Sequence, residues 1–112
     1  MKDIDERTML IKLYEIYKDL FNDKKQFIFE GYMLNDFTLS EIAQEVHISR
    51  QGVHDNVKQI SRKLFEFEKA LGLKAQKDRM KEVYQDIKLK LLIDPMDLEY
   101  VIETLEDLIE EL

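Results

Sequence analysis

The sequence predicts an all-α protein of about six helices. Three Gly and one Pro in 112 residues fall below the usual background of about 7% Gly and 5% Pro, so few residues can break the chain into short strands. Apolar residues recur at steps of three and four nearly from end to end, which is the period of an amphipathic helix. A hydrophobic content of 45% suits one compact domain, or a small module with an appended element, and is too high for a disordered chain.

The first three predicted helices precede residue 48. A first helix from about Glu6 to Phe21 carries one apolar stripe: Leu10, Leu13, Tyr14, Tyr17, Leu20 and Phe21. A second helix has Asp23 as its expected N-cap and ends before the turn-forming pair Asn35-Asp36. A third, short helix follows, and either Thr38 or Ser40 can cap it.

The fourth predicted helix is the longest, with Ser49 as its N-cap and Gly72 at its end. Its apolar residues follow the spacing of a heptad seam: Val53, Val57, Ile60, Leu64, Phe67 and Leu71. A fifth helix repeats this spacing: Met80, Tyr84, Ile87 and Leu91. The short connection favours an antiparallel hairpin in which the two seams pack together, and the alternative is that the first seam is a dimer interface.

The last predicted helix starts at Asp94-Pro95, with Asp94 as N-cap and Pro95 at the first helical position. It has one broad apolar face: Leu98, Val101, Ile102, Leu105, Leu108, Ile109 and Leu112. Its acidic face is interpreted as a solvated surface, with docking to a basic partner as the alternative. Because the apolar face is broad enough to need a partner, we expect a homodimer in which residues 60–112 supply most of the contact.

The net charge of −7 does not describe any one part of the chain. Residues 94–112 carry eight of the 24 acidic side chains and none of the 17 basic ones. Residues 1–93 therefore hold 17 basic and 16 acidic side chains, a net charge of +1. The overall acidity thus does not exclude a nucleic-acid partner, whose affinity depends on local Lys and Arg.

Residues 38–53 match the pattern of a helix-turn-helix: a short capped helix, a tight turn and a second capped helix. Ala43 is small where the two helices must cross closely. His47 falls in the turn, where many such units need a backbone with positive φ, and His adopts that conformation more often than most residues do. We therefore interpret His47 as a turn residue and not as a ligand.

These residues resemble a known family. The segments 26–32, 39–43 and 48–53 are similar to the promoter-reading C-terminal module of sigma factors. The closer resemblance is to the YlxM-type family of small bacterial proteins, which share this helix-turn-helix and add a C-terminal helical extension. The resemblance implies a sigma-like region at 1–72 and an extension at 73–112. It also implies a connection with the signal recognition particle pathway, with the particle's RNA or its GTPase as partners.

The sigma-factor resemblance places the DNA contacts near the start of the second helix of the motif. The candidate nucleic-acid-binding residues are Thr38, Ser49, Arg50, Gln51, His54, Lys58 and Arg62. In this scheme Ser49 caps the helix, Arg50 and Gln51 probe the groove, and Lys58 and Arg62 hold phosphates. Gly52 and His54 stand where the sigma pattern has arginines, and Asp55 stands where it has a glutamine. These departures favour the alternative of a protein or ribonucleoprotein interaction module that does not read DNA.

Catalysis is not expected. The sequence has no Cys, no Gly-rich phosphate loop and only two His, neither with a carboxylate at a convincing metal-ligand spacing. We therefore expect no cofactor, no metal and no catalytic residues. The N-terminus lacks the apolar core of a signal peptide, and no stretch has the ~20 apolar residues that cross a membrane. The expected protein is cytoplasmic, and it regulates transcription or the particle pathway by non-covalent binding.

Overall fold

The computed structural model describes residues 4–112, and those residues form six α-helices and no strand. The helices are α1 (Ile4–Tyr17), α2 (Asp23–Met33), α3 (Leu39–Val46), α4 (Arg50–Leu71), α5 (Leu73–Ile93) and α6 (Leu98–Glu111). A single 3₁₀ turn, Lys18–Leu20, follows α1. The all-α prediction with six helices is confirmed.

Two predicted N-caps, those of α2 and α6, differ from the ones that the structure shows. The N-cap of α2 is Asn22, whose side chain accepts the Lys25 N–H at 2.9 Å, and Asp23 is already the first helical residue. α6 begins after Asp97, which accepts the Tyr100 N–H at 3.1 Å. Asp94 does not cap a helix, because its carboxylate accepts the N–H of Met96 two residues on and holds a turn before α6. Several polar residues near each start can cap, and the backbone path selects one of them.

Contacts divide the chain into two units, Met1–Gly72 and Leu73–Leu112. The first unit has two apolar clusters. One joins α1, α2 and α4: Leu10, Leu13, Tyr14, Tyr17, Phe21, Phe29, Met33, Ile60 and Leu64. The other joins α2, α3 and α4: Ile28, Ile42, Ala43, Val53 and Val57. α4 therefore runs along both clusters.

The position of the α4 seam corrects a prediction. Val53, Val57, Ile60 and Leu64 are buried by α1, α2 and α3 inside the first unit. Neither the hairpin with α5 nor a dimer interface accounts for these four side chains. The heptad spacing is the same in all three cases, because it records only which side of the helix is apolar.

The second unit is an α5–α6 pair with little buried surface of its own. Val83 and Leu108 are its buried apolar side chains. Two ion pairs join the helices, Arg79 to Glu111 at 2.8 Å and Lys90 to Asp97 at 3.5 Å. Within residues 4–112, no helix combines the length and the apolar character that crossing a membrane requires.

Candidate nucleic-acid interface

α3 is held at its start by a reciprocal cap. The Thr38 hydroxyl accepts the N–H of Glu41 at 3.1 Å, and the Glu41 carboxylate accepts the N–H of Thr38 at 2.8 Å. This capping box satisfies two backbone donors at the helix N-terminus. Of the two predicted caps, Thr38 and not Ser40 is the one used. The Thr38 hydroxyl therefore has a structural role that is independent of any ligand.

The turn of the motif has the predicted backbone. His47 has φ 60 and ψ 43, in the left-handed region. Its N–H and that of Ile48 both donate to the carbonyl of Ala43, and the Ile48 bond is 3.1 Å long. The turn redirects the chain from α3 into α4, and Ala43 lies in one apolar cluster with the α4 residues Val53 and Val57. The interpretation of His47 as a turn residue is confirmed.

Ser49 and Gly52 together shape the start of α4. The Ser49 hydroxyl accepts the Gly52 N–H at 2.9 Å, as predicted for the N-cap. A Cβ atom built on Gly52 would lie 3.1 Å from the Ser49 hydroxyl and 3.5 Å from Cδ1 of Ile48. Gly52 therefore faces the turn. A side chain at position 52 would contact the Ser49 cap before it could reach a ligand. The absence of an arginine at this position therefore takes little positive charge from the outward face of α4.

The outward face of α4 carries most of the candidate binding residues. Four of them are exposed and share one side of the helix, at steps of three and four residues: Gln51, His54, Lys58 and Arg62. Arg50 is exposed beside them and lines a shallow depression together with Leu39, Gln51 and His54. The structure thus brings five of the seven candidates onto one continuous surface, next to the two capping residues, Thr38 and Ser49.

Asp55 lies in the middle of this face. Its Oδ1 atom accepts a hydrogen bond from Nε2 of Gln51 at 2.9 Å and lies 3.9 Å from Nδ1 of His54. It also lines a second shallow depression with Lys58 and Arg62. Three cations and one anion give the outward face a net charge of +2 when His54 is neutral. The Asp55 carboxylate orients the Gln51 amide, so turning this amide toward a base would break their hydrogen bond.

A contact that the sequence did not suggest braces α4 on the flank between its outward face and its buried side. The Lys25 ammonium group donates to Oδ1 of Asn56 and to Oε1 of Gln59, both at 3.0 Å, and so ties α2 to α4. Asn56 in turn donates to the Gly52 carbonyl at 2.9 Å. These partners are about 30 residues apart in the chain, so no local spacing pattern could have indicated the contact. The bracing holds the outward face of α4 in place relative to α2.

The fold and this surface define a class: a helix-turn-helix protein with an extra pair of helices at its C-terminal end. A family model described as "Putative helix-turn-helix protein, YlxM / p13 like" matches residues 4–107. The chain belongs to this family, UPF0122, which confirms the resemblance to the YlxM type.

Individual relatives agree with this assignment. A UPF0122 protein of Halalkalibacterium halodurans is 33% identical over 109 residues, which cover 97% of this chain and 95% of the relative. One from Bacillus licheniformis is 32% identical over 105 residues, 94% of this chain and 97% of the relative. A UPF0122 protein of Mycoplasma capricolum is 43% identical over 74 residues, 65% of this chain and 66% of the relative.

Proposed function

We propose that this protein is a non-catalytic regulator that binds duplex DNA through the outward face of α4. The observation that carries the proposal is the grouping of Arg50, Lys58 and Arg62 on the exposed side of the second helix of a complete helix-turn-helix. In motifs of this kind the second helix lies in the major groove and its N-terminal residues contact base edges. The family description supports the motif and leaves its ligand open.

The positions along α4 suggest a division of labour. Arg50 and Gln51 lie in the first turn, where a helix entering the groove meets the bases, and an arginine there pairs with a guanine edge. Lys58 and Arg62 lie about 12 Å and 18 Å further along the helix axis than Arg50, at 1.5 Å per residue. We assign Lys58 and Arg62 to phosphate contacts, because at these distances along the helix they lie away from the base edges at the floor of the groove.

The test is a salt titration of binding to duplex DNA by fluorescence anisotropy. Arg50→Ala should weaken binding by about 1–3 kcal/mol and relax the preference for one base pair. Lys58→Ala should weaken binding to all sequences and reduce the salt slope by about 0.9. The matched control is Lys63→Ala, because Lys63 is exposed on the same helix about 140° around the axis from Lys58. Equal effects of Lys58→Ala and Lys63→Ala on DNA affinity would contradict DNA binding through this face.

A second candidate function is a protein or ribonucleoprotein interaction module that does not read DNA. The hydrogen bond from Gln51 to Asp55 favours it, because it places a carboxylate where a DNA-reading face needs donors and cations. The resemblance to the YlxM type makes the signal recognition particle the proposed pathway, with the particle's RNA or its GTPase as the partner. A protein in this role works in the cytoplasm.

Asp55→Asn separates the two functions, because it removes the negative charge and keeps a hydrogen-bond acceptor for Gln51. If α4 reads DNA, the variant should bind DNA more tightly and with a steeper salt dependence. If α4 docks on a basic protein surface, the variant should lose affinity for the particle's GTPase. Measuring wild type and variant against duplex DNA, particle RNA and the GTPase in parallel identifies the ligand. Unchanged affinity for all three would remove α4 from both functions.

A further inference from the structure

α6 exposes an apolar stripe. Its members are spaced 4, 3, 4 and 3 residues apart and are 44–70% exposed: Leu98, Ile102, Leu105, Ile109 and Leu112. This spacing keeps them on one side of the helix over four turns. The side of α6 that packs on α5 is a neighbouring one, marked by the buried Leu108. The contact within the hairpin therefore leaves the stripe uncovered.

α5 has an exposed stripe of its own. Leu73, Met80 and Tyr84 are 42–58% exposed and lie on one side of the helix at steps of seven and four residues. The residue that α5 buries is Val83, one position before Tyr84 and about 100° around the axis from it. In both helices, then, an exposed apolar stripe lies beside a buried side.

The charged side chains next to the two stripes are opposite in sign. On α6, exposed glutamates border the stripe on the side away from Leu108: Glu99, Glu103, Glu106 and Glu110. On α5, exposed lysines border the stripe on the side away from Val83: Lys77, Lys81 and Lys88. Viewed from each helix N-terminus, both rows lie in the same rotational sense from their stripe.

That sense determines which pairing is favourable. Two antiparallel helices that face each other are related by an approximate twofold rotation perpendicular to their axes. The corresponding flanks of the two helices therefore lie next to each other across the contact. The α5–α6 hairpin already obeys this rule on its other flanks, where Arg79 meets Glu111 and Lys90 meets Asp97. An α5 stripe against the α6 stripe of another chain therefore sets lysines against glutamates. Two α6 stripes would set glutamates against glutamates, which is repulsive.

We infer that the α5 and α6 stripes form a homodimer interface in which α5 of each chain packs antiparallel on α6 of a second copy. The twofold operation supplies the reciprocal contact, so one surface is used on both chains. The four helices then form a bundle in which every neighbouring pair is antiparallel. This interface uses residues 73–112, the C-terminal part of the segment expected to dimerise, and it does not depend on nucleic-acid binding.

The exposed apolar area is close to what a small dimer interface needs. The eight stripe residues together expose the equivalent of about four complete large side chains, and each contributes on the order of 60–120 Å² of apolar area. That gives on the order of 300–500 Å² of apolar surface per chain. Homodimer interfaces are about 65% apolar, so the implied buried area is on the order of 400–800 Å² per partner, which approaches the ~800 Å² of a stable interface.

The first measurement is the mass of the full chain by light scattering at micromolar concentration. The expected particle has twice the 13.5 kDa mass of the chain. A particle of 13.5 kDa overturns the proposal. Ile102→Lys places a charge in the α6 stripe and should give a monomer that keeps its helical circular dichroism. Asp107→Lys is the matched control, because it introduces the same side chain on the far side of α6, and it should remain dimeric.

The second measurement tests which helices pair. Two variants reverse the charged flanks: Lys77→Glu/Lys81→Glu/Lys88→Glu on α5, and Glu99→Lys/Glu103→Lys/Glu106→Lys on α6. Each variant alone should dimerise on the order of a hundredfold more weakly, because like charges then face each other at both symmetric contacts. An equimolar mixture should form a heterodimer of wild-type affinity. If the α5 variant alone dimerises as wild type does, the pairing of α5 with α6 is wrong. If neither variant is affected, the partner surface lies elsewhere.

Discussion

Replacing His47 with glycine is expected to raise the free energy of unfolding by about 0.5–1 kcal/mol. His47 has φ 60 and ψ 43, a conformation that costs an L-residue roughly 1–2 kcal/mol and costs glycine almost nothing. Glycine also makes the unfolded chain more flexible, and this added entropy offsets about 0.5–1 kcal/mol of the relieved strain. The His47 side chain is exposed, so no packing is lost. The net gain is therefore the left-handed strain less the added chain entropy.

The assay is urea denaturation followed by circular dichroism, comparing midpoints at constant m-value. His47→Val should lower the free energy of unfolding by about 1–2 kcal/mol, because a β-branched residue is worse in the same conformation. Gly72→Ala is the matched control. Gly72 has φ 62, and a Cβ atom there meets nothing within 4 Å, so its net cost, about 1 kcal/mol, reports the left-handed strain less the change in chain entropy, with no steric contact added.

Two results would refute this account of the turn. Destabilisation by His47→Gly would mean that the histidine side chain contributes a contact that outweighs the strain. Wild-type stability of His47→Val would mean that the backbone at this position does not have positive φ. In either case the turn between α3 and α4 would be built differently from the one described.

Three further outcomes are expected. Thr38→Ala should lower the free energy of unfolding by about 0.5–2 kcal/mol in the urea assay, and no loss would mean that the capping box is not formed in solution. Leu64→Ala should cost about 2–5 kcal/mol because Leu64 is fully buried. Leu71→Ala, in the same heptad seam but 56% exposed, should cost far less. Equal losses would indicate that the whole seam is covered, as in an interface. Burial and the hydrogen bond to Glu30 raise the pKa of Tyr14 above its ordinary value of 10, so the folded state favours the neutral phenol. The stability that the neutral phenol contributes is therefore full below pH 10 and is lost as the pH rises further. An absorbance titration of the native protein should show a tyrosine transition above pH 10 that is absent from Tyr14→Phe, and an unchanged titration curve in that variant would contradict the buried hydrogen bond.

Features set by neighbouring residues were predictable. The cap at Ser49 and the left-handed turn at His47 each depend on a few consecutive residues, and the structure has both where the pattern placed them. The starts of α2 and α6 were wrong by one and three residues, because Asn22 and Asp97 compete with Asp23 and Asp94 for the same role. At such positions the choice depends on where the preceding chain comes from.

The candidate site divides in the same way. The sequence placed Gln51, His54, Lys58 and Arg62 on the second helix of the motif, and in the structure their helical spacing puts them on one side of it. It did not indicate that Gly52 faces the turn, nor that Lys25 braces α4 through Asn56 and Gln59. Those contacts depend on how the turn closes and on how α2 crosses α4.

The sequence by itself determined the all-α class, the helix-turn-helix and the apolar side of each helix, because caps, turns and periodicity act over a few residues. Only the tertiary structure decided what covers those apolar sides. The α4 seam and the α6 face have nearly the same spacing, yet Val53 to Leu64 lie in the core of the first unit, while Leu98 to Leu112 form a stripe open to solvent. The physical reason is that hydrophobic burial is non-directional: a pattern specifies that a face must leave water, and the path of the chain determines what it meets.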